Sequence, residues 1–264
     1  MKRAHFLAGI ILLLLISVIV AACYTNPLTH RKEFMLVSPQ DEVSLGVAMF
    51  DTLKRQTPIS TDPQQVAAVR RVGQKIASAV DLPGAQWEFV CFKDDNTANA
   101  FCLPGGKIGV YTGILPLTQD DNGLAVVLGH EVSHAVARHG GERMSQQLAL
   151  QLGGVGLAVA MQQQPSQTQQ IAQAAYGAGS TLGFVLPFSR KQESEADHMG
   201  LMTMAKAGYD PQSAITFWQR FKAYSDAHGG HPPVFLSDHP LDQTRINDLQ
   251  KELPDAEKIY RAHK

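Results

Sequence analysis

Beyond residue 23 the sequence has no pair of membrane-length apolar runs, no cluster of lysine and arginine, and only two cysteines. Each absence excludes something. Without a basic run or a basic-aromatic patch, and with a formal net charge of −1, nucleic acid is not a partner. Without paired apolar runs, a site embedded among membrane helices is excluded. Strand signals are also scarce, being confined to residues 87–111, so the fold reads as mainly α with a small β-sheet, in the α+β class. What is present suits a globular domain with a sizeable core, since 44% of the 264 residues are hydrophobic and 18% charged.

The N-terminus has the pattern of a targeting segment. Lys2 and Arg3 precede an apolar run from Phe6 to Ala22, as the charged and apolar regions of a secretory signal do. Val20-Ala21-Ala22-Cys23 resembles the lipobox of bacterial lipoproteins, so residues 1–22 read as a signal peptide and Cys23 as the lipidated first residue of the mature chain. The alternative is an uncleaved anchor, because the run is close to the lower limit for a span. With Tyr24 rather than Asp after the cysteine, the lipoprotein resemblance implies the periplasmic face of an outer membrane. Residues 23–37 then read as a tether and 38–264 as the folded domain.

Ser38-Pro39, followed by Asp41 and Glu42, opens a helix to about Lys54, and Asp62-Pro63 opens another. Val66, Val69, Val72, Ile76 and Val80 recur at helical intervals, and Leu82-Pro83-Gly84 provides the stop. Trp87 to Phe92 reads as a strand, and Ala100 to Tyr111 as one or two more, broken at Pro104-Gly105-Gly106. Cys91 and Cys102 flank the intervening turn, where they suit either a disulfide or two small buried apolar side chains. Residues 145–185 read as a helical hairpin, with arms Leu148–Met161 and Ile171–Val185 around an exposed glutamine-rich tip. Its plain role is packing, and the functional alternative is a lid or a contact surface.

The chemistry lies in Gly129 to His139, GHEVSHAVARH. His130 and His134 are four apart and so stand one above the other on a helix face, where both imidazoles reach one tetrahedral zinc ion, and Glu131 turns to the open position as a general base. The plain reading is two hydrogen-bonded histidines on a buried helix. An extended version of the motif would need Gly at 137 and His at 140, but Ala137 and Gly140 stand there. His139, nine residues from His130 at about 100° each, points to the opposite side of a continuous helix. The third ligand must come from elsewhere. Glu193 and Glu195 are the candidates, on a helix that Ser189 caps. Glu193 is favoured because it shares a face with Asp197, which can accept a hydrogen bond from a ligating imidazole.

Four segments in this order, NAFCLPGGKIGVYTGIL, GHEVSHAVARHGGER, SRKQESEADHMG and SDHPLDQTRI, resemble the M48 peptidase family over roughly residues 40–252. The resemblance implies a gluzincin fold with one zinc per chain, held by His130, His134 and Glu193, with Glu131 as base and Asp197 beside the site. It implies a zinc endopeptidase acting on protein or peptide substrates, including misfolded or misassembled envelope proteins, and the lipobox-like pattern adds a membrane attachment at Cys23 and partners in the envelope. In peptidases that use this motif an edge strand pairs with extended substrate, which singles out the backbone of Asn99, Ala100 and Phe101. It also brings the segment with His239 and Arg245 to the active site, where they either steady the oxyanion or occlude the metal. The competing class is a chaperone or binding module with a latent zinc site. Three protein ligands would leave one position open, which favours catalysis.

Overall fold

The computed structural model describes residues 23–27, 29–173, 189–227, 234–240 and 242–264. The chain falls into two compact units, residues 1–39 with 141–186 and residues 40–140 with 187–264. Among the described residues no helix is long and apolar enough to cross a membrane.

The larger unit is helical around a three-stranded sheet, as the scarcity of strand signals predicts. Helix α1 covers Pro39–Gln56 and α2 covers Pro63–Ser78. Asp62 caps α2, its carboxylate accepting from the backbone N–H groups of Gln64 and Gln65. Val69, Val72, Gly73 and Ile76 then form its buried stripe. The helix ends at Ser78, ahead of the Leu82-Pro83-Gly84 stop. The strands are β3 (Glu88–Phe92), β4 (Ala100–Leu103) and β5 (Lys107–Tyr111) in the order β3-β5-β4. β5 is central, parallel to β3 and antiparallel to β4, which leaves β4 at an edge. This order answers the cysteine question. Cys91 on β3 and Cys102 on β4 are separated by β5, about 9–10 Å at two strand spacings, beyond disulfide reach, and both are free thiols. Burial pushes the Cys91 thiol up to about 11, so it behaves as a small apolar side chain.

After a short helix α3 (Leu115–Thr118) comes α4 (Asp121–Val136), capped by Asp120, whose carboxylate accepts from Gly123 N–H. Every residue of α4 from Gly123 to His134 is buried. A helix buried all round must be enclosed, and α2, β4 and α6 (Arg190–Lys206) enclose it. At the crossing of α4 and α6 two glycines meet. A Cβ on Gly129 would lie 2.9 Å from the Gly200 carbonyl oxygen, and one on Gly200 would lie 2.9 Å from His130 N. Only paired glycines permit this approach. Helices α7 (Gln212–Ala227), α8 (Val234–Asp238) and α9 (Gln243–His263) complete the unit. α7 and α8 supply an aromatic wall in which Trp218 stacks on Phe235 with ring centres 5.9 Å apart.

The smaller unit corrects the expected tether over residues 23–37. Strands β1 (Cys23–Thr25) and β2 (Lys32–Phe34) pair antiparallel, with Cys23 opposite Phe34. Inside this hairpin Asn26 Nδ2 donates to buried Glu33 at 3.0 Å, and Arg31 Nη1 donates to Glu142 at 2.8 Å. Ser145 Oγ accepts from Leu36 N–H. The helix that carries Glu142 and Ser145, α5 (His139–Met161), begins earlier than the expected first arm at Leu148. Residues 166–173 are helical, and the expected second arm from 174 to 185 lies outside the described residues.

Candidate metal centre

Local sequence sets the scaffold. The Asp120 cap starts α4, so His130 and His134 stand one above the other and are both buried. Ser189 caps α6 through a reciprocal capping box with Gln192, which puts Glu193 and Asp197 one turn apart on one face. The Gly129–Gly200 crossing lets those two faces approach. Asp242 caps α9 by accepting from Arg245 N–H, and this positions Arg245 at the start of that helix.

Four side chains from three stretches converge. Ligand atoms of His130, His134, Glu193 and His239 all lie within 4.8 Å of one another, and all four residues are buried. His130 Nε2 is 3.1 Å from His134 Nε2 and 3.2 Å from His239 Nδ1. The carboxylate of Glu193 is 3.4 Å from His130 Nε2 and from His134 Nε2, and 3.0 Å from His239 Nδ1. Ligands about 2.0–2.1 Å from a tetrahedral zinc stand about 3.3 Å apart, so these spacings suit such an ion. Unpaired acceptors add to the fit, because Glu193 Oε2 and Glu131 Oε1 are buried and accept no hydrogen bond. Burial works against charge on Glu193, yet the surrounding His130, His134 and His239 hold its carboxyl far below the usual range. Burial likewise takes His134 well below its ordinary value.

Asp197 supports the His130 side. His130 Nδ1 donates to Asp197 Oδ1 at 3.0 Å, while Arg245 grips Asp197 through Nε at 2.6 Å and Nη2 at 2.8 Å. The guanidinium lies over Trp218 at 4.8 Å and donates to the Pro240 carbonyl at 2.8 Å. It is also 2.9 Å from Glu193 Oε2, an ion pair without hydrogen-bond alignment. Burial penalises the Asp197 carboxylate, and Arg245 outweighs that penalty and lowers its pKa. Burial also pushes His130 down, but Asp197 and Glu193 overcome it and raise it to about 9.

The His134 side was not foreseen. Arg138 takes a left-handed backbone, φ 56°, which ends α4 and turns the chain back. His139 is therefore not on the far side of a continuous helix. It is fully buried, with Nδ1 2.8 Å from His134 Nδ1 and Nε2 3.0 Å from Glu195 Oε2. Nothing in the residue spacing signals this, because the geometric exclusion of His139 assumes an unbroken helix.

Glu131 lies next to the cluster. Its Oε1 is 3.3 Å from His239 Nε2, and burial raises its pKa. Of the three edge-strand candidates, Ala100 and Phe101 lie in β4 and Asn99 precedes it. Asn99 O accepts from Tyr111 N–H, so Asn99 and Phe101 bond towards β5 and the backbone groups of Ala100 and Cys102 turn outwards. The Phe101 ring packs with Phe50, Phe92 and Tyr111.

A buried pair of imidazoles four apart on a helix, a carboxylate from a facing helix and an adjacent glutamate define a metallopeptidase-type domain. Residues 63–253 match the model for peptidase family M48, and the chain belongs to that family. Zinc is the cofactor of M48 metallopeptidases, and the donor set here fits it. Among similar proteins are the mitochondrial metalloendopeptidases OMA1 of Schizosaccharomyces pombe, 39% identical over 72% of this chain and 53% of its own length, and of Saccharomyces cerevisiae, 34% identical over 89% and 70%. A putative beta-barrel assembly-enhancing protease of Vibrio cholerae is 29% identical over 80% of this chain and 43% of its own length. The chain thus spans about half the length of the first of these relatives.

These likenesses correct one expectation. The outer-membrane, periplasmic placement does not stand, because the fungal, plant and animal relatives are mitochondrial. A charged start followed by an apolar run is a general membrane-directing signal, and its physics does not specify which membrane.

Proposed function

We propose that this chain is a zinc-dependent endopeptidase held in a resting state by His239. The observation that carries the reading is the position of His239 Nδ1, 3.2 Å from His130 Nε2 and 3.0 Å from Glu193. There it makes a fourth donor, while Nε2 of the same ring lies 3.3 Å from Glu131 Oε1. His130, His134 and Glu193 would hold the zinc, which would supply Lewis acidity for activating water and polarising the scissile carbonyl. With His239 withdrawn, Glu131 takes the proton from the attacking water and returns it to the departing amine. Asp197 orients His130. Arg245, occupied by Asp197, Glu193 and two backbone carbonyls, positions these groups and is not free to meet an oxyanion.

Substrate enters as an extended segment along β4, at the outward backbone groups of Ala100 and Cys102. The segment carrying His239 also guards this edge, since Phe235 N–H donates to Ala98 O and Asn99 Nδ2 donates to Asp238 at 3.4 Å. Substrates that present extended backbone are unfolded or misassembled proteins. The names of the Vibrio cholerae and Yersinia pestis relatives, beta-barrel assembly-enhancing proteases, support a role in protein assembly and its quality control. Cys23 is proposed as a lipid-attachment site on the Val-Ala-Ala-Cys pattern, whichever membrane receives it, and the mass of the mature N-terminal peptide tests this.

One observation favours a second reading. Four protein donors make a closed site, which is the property of structural zinc and of a binding module. His239→Ala separates the two. A latent peptidase gains basal hydrolysis of an unfolded casein-like substrate at equal zinc content, whereas a binding module stays inactive.

A further inference from the structure

The structure assigns His139 and Glu195 as positioning residues for the ligand His134, forming a relay from His134 Nδ1 through the His139 imidazole to the Glu195 carboxylate. The inference rests on the proposed role of His134 as a metal ligand. Its basis is geometric. The Nε2 of His134 faces His130 and Glu193, so its Nδ1 is the nitrogen left to point away from the centre. That Nδ1 is 2.8 Å from His139 Nδ1, and two ring nitrogens at this distance need one proton between them. On the far side of the same ring, His139 Nε2 is 3.0 Å from Glu195 Oε2, and an ionised carboxylate only accepts. Glu195 thus fixes the proton of His139 on Nε2. This leaves Nδ1 of His139 bare to accept from His134 Nδ1–H, which in turn leaves Nε2 of His134 bare for a metal.

A ligating imidazole commonly donates its other N–H to a carboxylate, and this sets its tautomer and ring orientation. His130 does so directly, to Asp197. On the His134 side a second imidazole stands between ligand and acid. Burial makes the arrangement consequential. The His139 side chain is fully buried, so water cannot replace its nitrogens, whereas the Glu195 side chain is 16% exposed and sits at the rim. The left-handed Arg138, whose guanidinium is held by Glu42, is what carries His139 back under His134.

Zinc affinity of the full chain, measured by competition with a chromophoric chelator, tests the relay in His139→Phe, His139→Asn and Glu195→Ala. Phe keeps the ring and removes both nitrogens, and it is expected to raise the zinc Kd about tenfold or more. Asn places an amide oxygen near the position of Nδ1 and should recover most of that loss. Glu195→Ala should weaken zinc by a smaller factor, because water reaches the rim. Independently, ¹⁵N NMR of the zinc-loaded protein should find His139 protonated on Nε2 and bare on Nδ1. A Phe variant that folds and binds zinc within twofold of wild type overturns the proposal, as does a His139 protonated on Nδ1. If the Phe variant does not fold, the NMR tautomer and the Glu195→Ala affinity decide, and an unchanged affinity with the opposite tautomer rejects the relay. Wild type that binds no zinc would instead reject the metal reading of His134 itself, an outcome distinct from equal affinities across the series.

Discussion

The two histidines of the motif sit one turn apart on the same helix, yet they are supported in opposite ways. On the His130 side the acid is Asp197, buried, in direct contact, and clamped by a bidentate guanidinium that is itself laid over Trp218. On the His134 side the acid is Glu195, at the rim and one imidazole removed. A buried acid needs a buried cation to remain ionised, which is why Arg245 accompanies Asp197. Glu195, with its side chain 16% exposed, is partly served by solvent. The contrast teaches that two ligands of one motif can be oriented differently, one by a direct contact to a buried acid and the other through an intervening imidazole.

A change shared by both sides should have the largest effect. Glu193→Ala removes the carboxylate next to both imidazoles and should abolish stoichiometric zinc after dialysis, measured by elemental analysis, while Glu195→Ala keeps it. The reverse pattern would show that the acids exchange roles. Glu131→Gln touches neither support, so zinc should stay and turnover of an unfolded protein substrate should fall ~10²-fold or more. Equal turnover would remove Glu131 from the chemistry.

Asp197→Asn sharpens the contrast directly. Zinc affinity should drop towards the upper end of the about 10–100-fold range for such supports, and by more than in Glu195→Gln. Equal losses would mean the two sides are equivalent after all. Arg245→Ala leaves Asp197 buried without its cation and should cost about 3–5 kcal/mol in urea unfolding of the metal-free protein. The smallest effect belongs to the helix crossing. Gly200→Ala puts a methyl against His130 N, 2.9 Å away, and the helices must separate, costing about 1–3 kcal/mol and lowering Tm. A neutral Gly200→Ala would show that the crossing is looser than the glycine pair implies.

Much of this was legible from residues close together in the chain. The helix starts at Asp62 and Ser189, the helical spacing of His130 and His134, and the shared face of Glu193 and Asp197 follow from hydrogen-bond geometry within one or two turns. The α+β class and the strand at 87–92 followed equally from local pattern, and of the one or two strands expected over 100–111 there are two, β4 and β5. Membership of the zinc peptidases followed from the ordered segments.

Other features depended on how distant segments meet. His139 was excluded by a helical projection that holds only while the helix continues, and one left-handed residue, Arg138, cancels it. Gly129 carries no chemical signal of its own in the sequence and is half of the contact that brings the acids to the imidazoles. The hairpin at Cys23–Phe34 is too short and polar to announce itself, because its order comes from Arg31 and Glu142, 111 residues apart. His239 was visible as a candidate with two opposed roles. Its place in the donor set was decided by the approach of a ring 109 residues from His130 in sequence. Local sequence determines which side chains share a face, since neighbouring backbone dihedrals are set by sterics and short hydrogen bonds. Which faces meet, and at what distance, is decided by packing summed over the whole unit, which no single segment encodes.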